Sequence, residues 1–284
     1  MNRPAPPCRP SPPWTEQRTA PGGGHAFSLI ELLVVIAVVA ALIGLLVPTL
    51  AATRGQGRSA ACASNLRQLG AANELYVADH AGLYAPGAMD IVLHNRHRWH
   101  GTRASTGVPF VPEGGSLTPY LGGTGVGPRL RACPSFTGVL DDPSAFERGC
   151  GGYGYNNAYV GTQRTRCGPD SWSVVSDRQG APAHLFVQPA GTVMFGDTAF
   201  AAGDLIEYSF LEPRFHPDRP QARLDPSTHF RHQAHANVVW LDGHVSTESR
   251  SHSWSSGLYP ADSQSLGLGW FGADDDNRLF DPDV

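Results

Sequence analysis

His232, His235, Asp242 and His244 stand close together near the C-terminal end of the chain. Imidazole nitrogen and carboxylate oxygen are ordinary Zn²⁺ ligands, so metal binding is the chemistry this group offers. His232 and Asp242 share parity along a strand and would share a face only if the chain between them stayed extended. Asp242-Gly243 after "NVVWL" is a turn signal, and a turn there breaks that extension. The competing reading is a structural hairpin: His232 hydrogen-bonds backbone, and Asp242 and Gly243 form a type I′ turn with positive φ at both positions. A second set, His94, His97 and His100, recurs every three residues in "HNRHRWH". Its types suit a metal, but its surroundings read as a solvated loop. A third set lies in "GWFGADDDNRLFDPD" (269–283). Asp274, Asp275, Asp276 and Asn277, with Asp281 beyond, are hard oxygen ligands of the kind calcium takes. The bland reading is an acidic, solvated tail.

Cysteine offers redox chemistry. Cys8 precedes the first apolar segment, and Cys62, Cys133, Cys150 and Cys167 follow it. Four cysteines allow three pairings. A Cys150–Cys167 bond would close a short Gly- and Tyr-rich loop and contribute about 3 kcal/mol by the chain-entropy model. Cys62–Cys133 would then tie a helix to the folded region after it. Four free, buried thiols are the alternative.

Other chemistries are excluded by what the chain lacks. All 21 basic residues are Arg. Without Lys there is neither a Walker A phosphate loop nor a Schiff-base lysine. HExxH and GxSxG are absent as well. A net charge of −4 without a basic stripe gives no footprint for nucleic acid.

These candidate residues need elements to position them. Residues 1–24 are Pro-rich, with Arg3, Arg9 and Arg18 against one acid, Glu16. That composition forms no core and reads as a cytoplasmic leader. The apolar run from Phe27 to Val47 has about the twenty residues a bilayer requires. Glu31 near its start is anomalous, because a carboxylate in hydrocarbon costs a few kcal/mol. Cleavage just before Phe27 would create an α-amino group four residues away. In a bundle of parallel helices, Glu31 of one subunit can pair with that amine on a neighbour, which offsets burial and sets the axial register.

The segment "AFSLIELLVVIAVVAALIGLLVP" resembles the prepilin signal of type IV pilins and type II secretion pseudopilins. In that family a small residue, usually Gly, precedes the cut, Phe follows it, and Glu is the fifth mature residue. Phe27 and Glu31 match, Ala26 stands in place of Gly, and Pro48 falls where many pilins have a helix-bending proline. The resemblance implies cleavage between Ala26 and Phe27 by prepilin peptidase, methylation of the new amine, and assembly through Glu31. A second resemblance covers the rest of the chain. His232 and, after nine intervening residues, Asp242-Gly243 match the H-X9-DG signature of a large prepilin-like group. "CASNLRQLG" (62–70), "CPS" (133–135), "GYGYN" (152–156) and "PAGTVMFGD" (189–197) are similar to segments of that group. Major pseudopilins hold calcium in a C-terminal loop, but the ligand pattern here departs from theirs.

The helix should continue past Pro48, since Leu66, Leu69, Ala72 and Leu75 fall on one face and Gly82 and Pro86 are stop signals. A helix from Phe27 to Asp79 would be about 75 Å long. Beyond residue 82, "HLFVQP" (184–189), "GTVMFGD" (191–197) and "HANVVWLDGHV" (235–245) read as strands; "LGGTGVG" (121–127) reads as a loop. The expected fold is α+β and pilin-like, a long helix packed on a mainly antiparallel sheet. The expected organisation is a leader at 1–26, a transmembrane helix at 27–48, its periplasmic continuation at 49–81 and a head at 82–284. The resemblance implies an inner-membrane, single-pass protein with a periplasmic head, carried to the cell surface when in a filament. Its implied partners are prepilin peptidase, an inner-membrane assembly platform, other pseudopilins and copies of itself in a helical filament. It would be a substrate of an enzyme rather than an enzyme. The alternative is a membrane-tethered metal-binding protein or metalloenzyme built on His232 and Asp242.

Overall fold

Helix α1 runs from Leu29 to Asp79 in the computed structural model, which describes residues 28–122, 132–138 and 147–283. Cys8, Ala26 and Phe27 lie outside the described residues, as does most of the Gly-rich segment at 121–127. The start of α1 is chemically defined. Ser28 Oγ accepts the Ile30 N–H at 3.3 Å, and Glu31 Oε2 accepts the Ser28 N–H at 2.9 Å. This reciprocal pair is a capping box, which satisfies two donors that the helix end leaves open. Pro48 sits inside the helix. The helix ends with Ala81 at φ 52° and Gly82 at φ 79°, and Gly82 N–H donates to Val77 C=O at 3.0 Å. A left-handed glycine just past the last turn is the usual C-terminal stop.

The chain divides into two units, residues up to Leu50 and Ala51–Val284. In the first, every large apolar side chain from Leu29 to Leu50 is exposed. This stretch makes α1 long and apolar enough to cross a membrane.

In the second unit, the buried positions of α1 are Cys62, Leu66, Leu69, Gly70, Ala72 and Asn73. Steps of three and four place them on one face, and Leu75, expected there, is exposed because it lies more than a quarter-turn away from Asn73 and Leu69. That face meets a four-stranded antiparallel sheet of β1 (Tyr153–Tyr155), β2 (Val193–Asp197), β3 (His235–Trp240) and β4 (Val245–Ser249), in the order β4-β3-β2-β1. Cys62, Leu66 and Leu69 pack with Tyr153, Tyr155, Phe195 and Val239. A Cβ on Gly70 would come within 3.0 Å of Val239 Cγ2, so the glycine sets how closely the helix lies on β3. The other sheet face places Ala236, Val238 and Trp240 against Leu211, Phe230 and Phe271. Because β3 is covered on both faces, it reads as a near-continuous apolar run. The architecture is α+β.

Two expectations about this region need correction. "HLFVQP" is not a strand. Ala183–Leu185 forms a single 3₁₀ turn, and Phe186 plugs the core while Val187 stays 71 % exposed. Pro182 and Pro189 on either side deny the ladder its donors. The turn at Asp242-Gly243 is not type I′ either. Trp240 N–H donates to His244 C=O at 3.0 Å, Gly243 N–H donates to Trp240 C=O at 2.9 Å, and only Gly243 has positive φ (84°). This is a three-residue hairpin loop with a glycine bulge. Asp242 Oδ1 accepts the His244 N–H at 3.1 Å, a local bond that favours the longer loop.

Candidate functional site

Five short segments meet where α1 lies on the sheet. Asn65 Nδ2 donates to Tyr153 Oη at 2.9 Å, and Asn73 Nδ2 donates to Tyr155 Oη at 3.0 Å. Cys62 on α1 is bonded to Cys133, with Cα atoms 5.2 Å apart. Against this bond sit Asp197, at the end of β2, and the Arg231-His232 pair that leads into β3.

Local backbone positions the pair. His232 and His235 exchange backbone hydrogen bonds of 2.9 and 3.0 Å across Gln233 (φ 55°) and Ala234 (φ 66°). That is a two-residue hairpin turn of type I′ character, built without Gly or Asn. It folds His232 back beside β3, and the β2–β3 register brings Asp197 alongside. Asp197 is fully buried. Its Oδ1 accepts Arg231 Nη2–H at 2.7 Å, and its Oδ2 accepts the Asn237 N–H at 2.8 Å and His232 Nε2 at 3.0 Å. Arg231 also donates to Thr198 C=O at 3.0 Å, to Gly152 C=O, and through Nε to Cys133 Sγ at 3.3 Å.

Burial alone would raise the Asp197 pKa. The Arg231 charge and the hydrogen bonds from His232 and Asn237 outweigh it and hold the carboxyl below its usual range. An ionised carboxylate only accepts, so His232 carries a proton on Nε2, a tautomer assigned from this bond. His232 Nδ1 is buried and has no hydrogen-bond partner among the described residues. His232 also lines a groove of about 370 Å³ with Gly55, Ser59, Ala63, Asn237 and Thr247. Nearby His229 is pushed down to about 3 by burial and by the Arg231 charge. Among the described residues, Cys62, Cys133, Asp197 and His232 gather four metal-ligating side chains of three types, all buried.

The pairing of His232 with Asp242 that the metal-binding alternative needs is not formed. Asp242, 38 % exposed, contacts His244 Nδ1 at 2.6 Å instead. The six residues of β3 separate the two ends of the motif by about 20 Å. Nor does His232 bond backbone through its ring; its partner is Asp197. His235 Nδ1 lies 2.8 Å from Gln233 C=O on the surface.

The acidic run faces arginines rather than a cation cradle. Asp275 pairs with Arg223 at 2.5 Å and Arg214 at 3.3 Å, while Asp274 and Asp276 pair with Arg278 at 3.1 and 3.2 Å. Asn277 Oδ1 accepts the Phe215 N–H at 2.9 Å. The reason is chemical: with only Arg as cation, acidic side chains find forked partners. Cys150 and Cys167 are not joined; the first is buried and the second exposed.

"HNRHRWH" is not a solvated loop throughout, because Arg98, Trp99 and His100 are buried. Arg98 forms an ion pair with buried Glu147 and lies over Phe110 and Phe210 at 5.0 and 4.9 Å. His100 is pushed down to about 3 by burial, then by the charges of Arg98 and Arg103. Nothing local announces Arg98, since its partner is 49 residues away. A complete GxGxxG spacing, expected to be absent, is present in Gly149-Cys150-Gly151-Gly152-Tyr153-Gly154. It opens into β1, not into a helix, so the phosphate-binding context is missing.

No family model, curated protein or solved structure matches the chain.

Proposed function

We propose that this chain is a prepilin-like subunit, cut by prepilin peptidase and assembled with copies of itself and related subunits into a type II secretion pseudopilus or type IV pilus-like filament. In this reading it sits in the inner membrane with its pilin-like head in the periplasm. The observation that carries it is the lone acid at the start of α1. Glu31 is the one ionisable group between the start of the helix and Arg54, in a segment whose large apolar side chains are all exposed. A bilayer or the core of a helical bundle supplies the missing cover.

Glu31 has a second role that must be separated from this one, because it completes the capping box with Ser28. Glutamine fills the same position in a capping box but carries no charge. The test therefore uses two variants alongside mass spectrometry of the mature N-terminus. The expected mature chain begins at Phe27. Glu31→Val and Glu31→Gln should both insert into the membrane, and both should be depleted from sheared or cross-linked filaments. If Glu31→Gln assembles like the unaltered chain, the carboxylate is only a cap and the register role fails. A retained leader in cells that express the peptidase would end the prepilin reading altogether.

A further inference from the structure

We propose that reduction of the Cys62–Cys133 bond opens a buried Zn²⁺ site formed by Cys62 Sγ, Cys133 Sγ, Asp197 Oδ2 and His232 Nε2. This goes beyond the filament reading and does not depend on it. The four ligand atoms already lie within 4.8 Å of one another. Around a tetrahedral zinc with bonds of about 2.0–2.3 Å, ligand atoms stand roughly 3.3–3.8 Å apart. His232 Nε2 is 3.0 Å from Asp197 Oδ2 and 3.6 Å from Cys133 Sγ. Three of the ligands thus stand near the spacing of a coordination shell, and the sulfurs reach it once their bond is broken and their side chains turn apart.

The supports are in place as well. Cys62 is on a helix, Asp197 ends a central strand, and His232 is fixed by a two-residue hairpin turn. Helices and strands hold a site's geometry better than loops do, which favours Cys62 and Asp197; Cys133 lies outside both kinds of element and is placed by its bond to Cys62. Arg231 and the Asn237 N–H orient the Asp197 carboxylate from outside the ligand set. Charge closes too. Two thiolates, one carboxylate and a dication leave one negative charge, and the Arg231 guanidinium beside Cys133 Sγ offsets it. His232 can bind only after its proton moves from Nε2 to Nδ1, which has no hydrogen-bond partner among the described residues. Cys₂His with a carboxylate is a hard-and-soft mixture that zinc accepts.

The step balances as follows. A dithiol donates two electrons to the Cys62–Cys133 bond, its two protons go to the cysteine sulfurs, and it becomes a disulfide. Zn²⁺ then displaces those two protons to solvent and gains two thiolates. A disulfide oxidant reverses the sequence: it takes two electrons from the two metal-bound thiolates and two protons from solvent and leaves as two thiols, the Cys62–Cys133 bond re-forms, and the ion is released.

The test uses the full chain in detergent, reduced with a dithiol and freed of excess reagent without air. It is titrated with Zn²⁺, and in parallel with Co²⁺, whose spectrum reports geometry. The reduced chain should bind one ion, with thiolate-to-cobalt charge-transfer bands and the intense visible bands of a tetrahedral site. Reoxidation should expel it. His232→Ala and Asp197→Asn should each weaken binding by at least about tenfold, the lower end of what even outer-shell changes cost. Cys167→Ser, which removes the exposed thiol, should change nothing. Should a ligand variant fail to fold, reversible release from the unaltered chain decides the question alone. A reduced chain that takes up no stoichiometric metal, metal retained after reoxidation, or loss of binding in Cys167→Ser would overturn the site.

Discussion

Asp197 and Arg231 have side chains exposed by 0 and 3 %, so each is tolerable only because of the other. Truncating one partner of a buried pair leaves an uncompensated charge, which costs about 3–5 kcal/mol. Asp197→Ala should therefore destabilise the head by that amount. His232→Ala removes one hydrogen bond to a charged group, worth about 1.5–3 kcal/mol. Asp242→Ala disturbs only an exposed turn contact and should cost under about 1 kcal/mol. Urea unfolding of the three variants should give that order. Equal losses for His232 and Asp242 would mean the motif acts as one site after all. A second residue-scale prediction concerns His100, whose pKa is pushed from 6.5 down to about 3. The folded state then binds fewer protons than the unfolded one. The stability tied to this group is present above about pH 6.5 and is lost as pH falls toward 3. Measured against His100→Gln, which cannot titrate, the unaltered chain should lose about 1.4 kcal/mol per pH unit between about pH 6 and 4. A difference that does not vary with pH would show that His100 is hydrated.

Two turns flank β3, and each inverts what its residues advertise. Asp242-Gly243 carries the strong turn signal, yet only Gly243 is left-handed. Gln233-Ala234 carries none, yet both residues have positive φ and turn the chain that holds His232. A left-handed conformation costs a residue with a Cβ roughly 1–2 kcal/mol, which glycine avoids. Ala234→Gly should thus be neutral or stabilising by up to about 1 kcal/mol. Gly243→Val should destabilise by about 1–3 kcal/mol from backbone strain alone, because a Cβ there meets no atom within 4 Å. Thermal unfolding of both variants checks the pair. A destabilised Ala234→Gly would argue against the tight turn at His232. The sequence could indicate α1 and β3 because their buried faces repeat at short, regular intervals. It could not indicate the Gln233-Ala234 turn, because ladder pairing forces that turn and no local preference favours it.

At the scale of the molecule, the Cys62–Cys133 bond closes a separation of 71 residues between α1 and the segment before β1. Chain entropy assigns a loop of that length about 4 kcal/mol. Reduction without metal should lower the unfolding free energy of the head by about that much, read as a drop in urea midpoint, with a steeper slope because the unfolded chain loses its cross-link. No shift on reduction would mean that packing of Leu66 and Leu69 alone holds the helix in place. The sequence by itself determined the apolar segment, the acid within it, the helical face of Leu66, Leu69 and Ala72, and strands within "GTVMFGD" and "HANVVWLDGHV". Each is a pattern of near neighbours, set by bilayer thickness or by the period of a helix or strand. Tertiary structure alone decided which cysteines join, that His232 and Arg231 both meet Asp197, and that Arg98 is buried against Glu147. It also decided that Asp274, Asp275 and Asp276 face arginines. Most of these pairings join residues far apart in the chain, by 34 for Arg231 with Asp197, 49 for Arg98 with Glu147 and 71 for the disulfide. A polar or sulfur side chain carries no periodic mark of its partner, so only the packing of the helix on the sheet selects it.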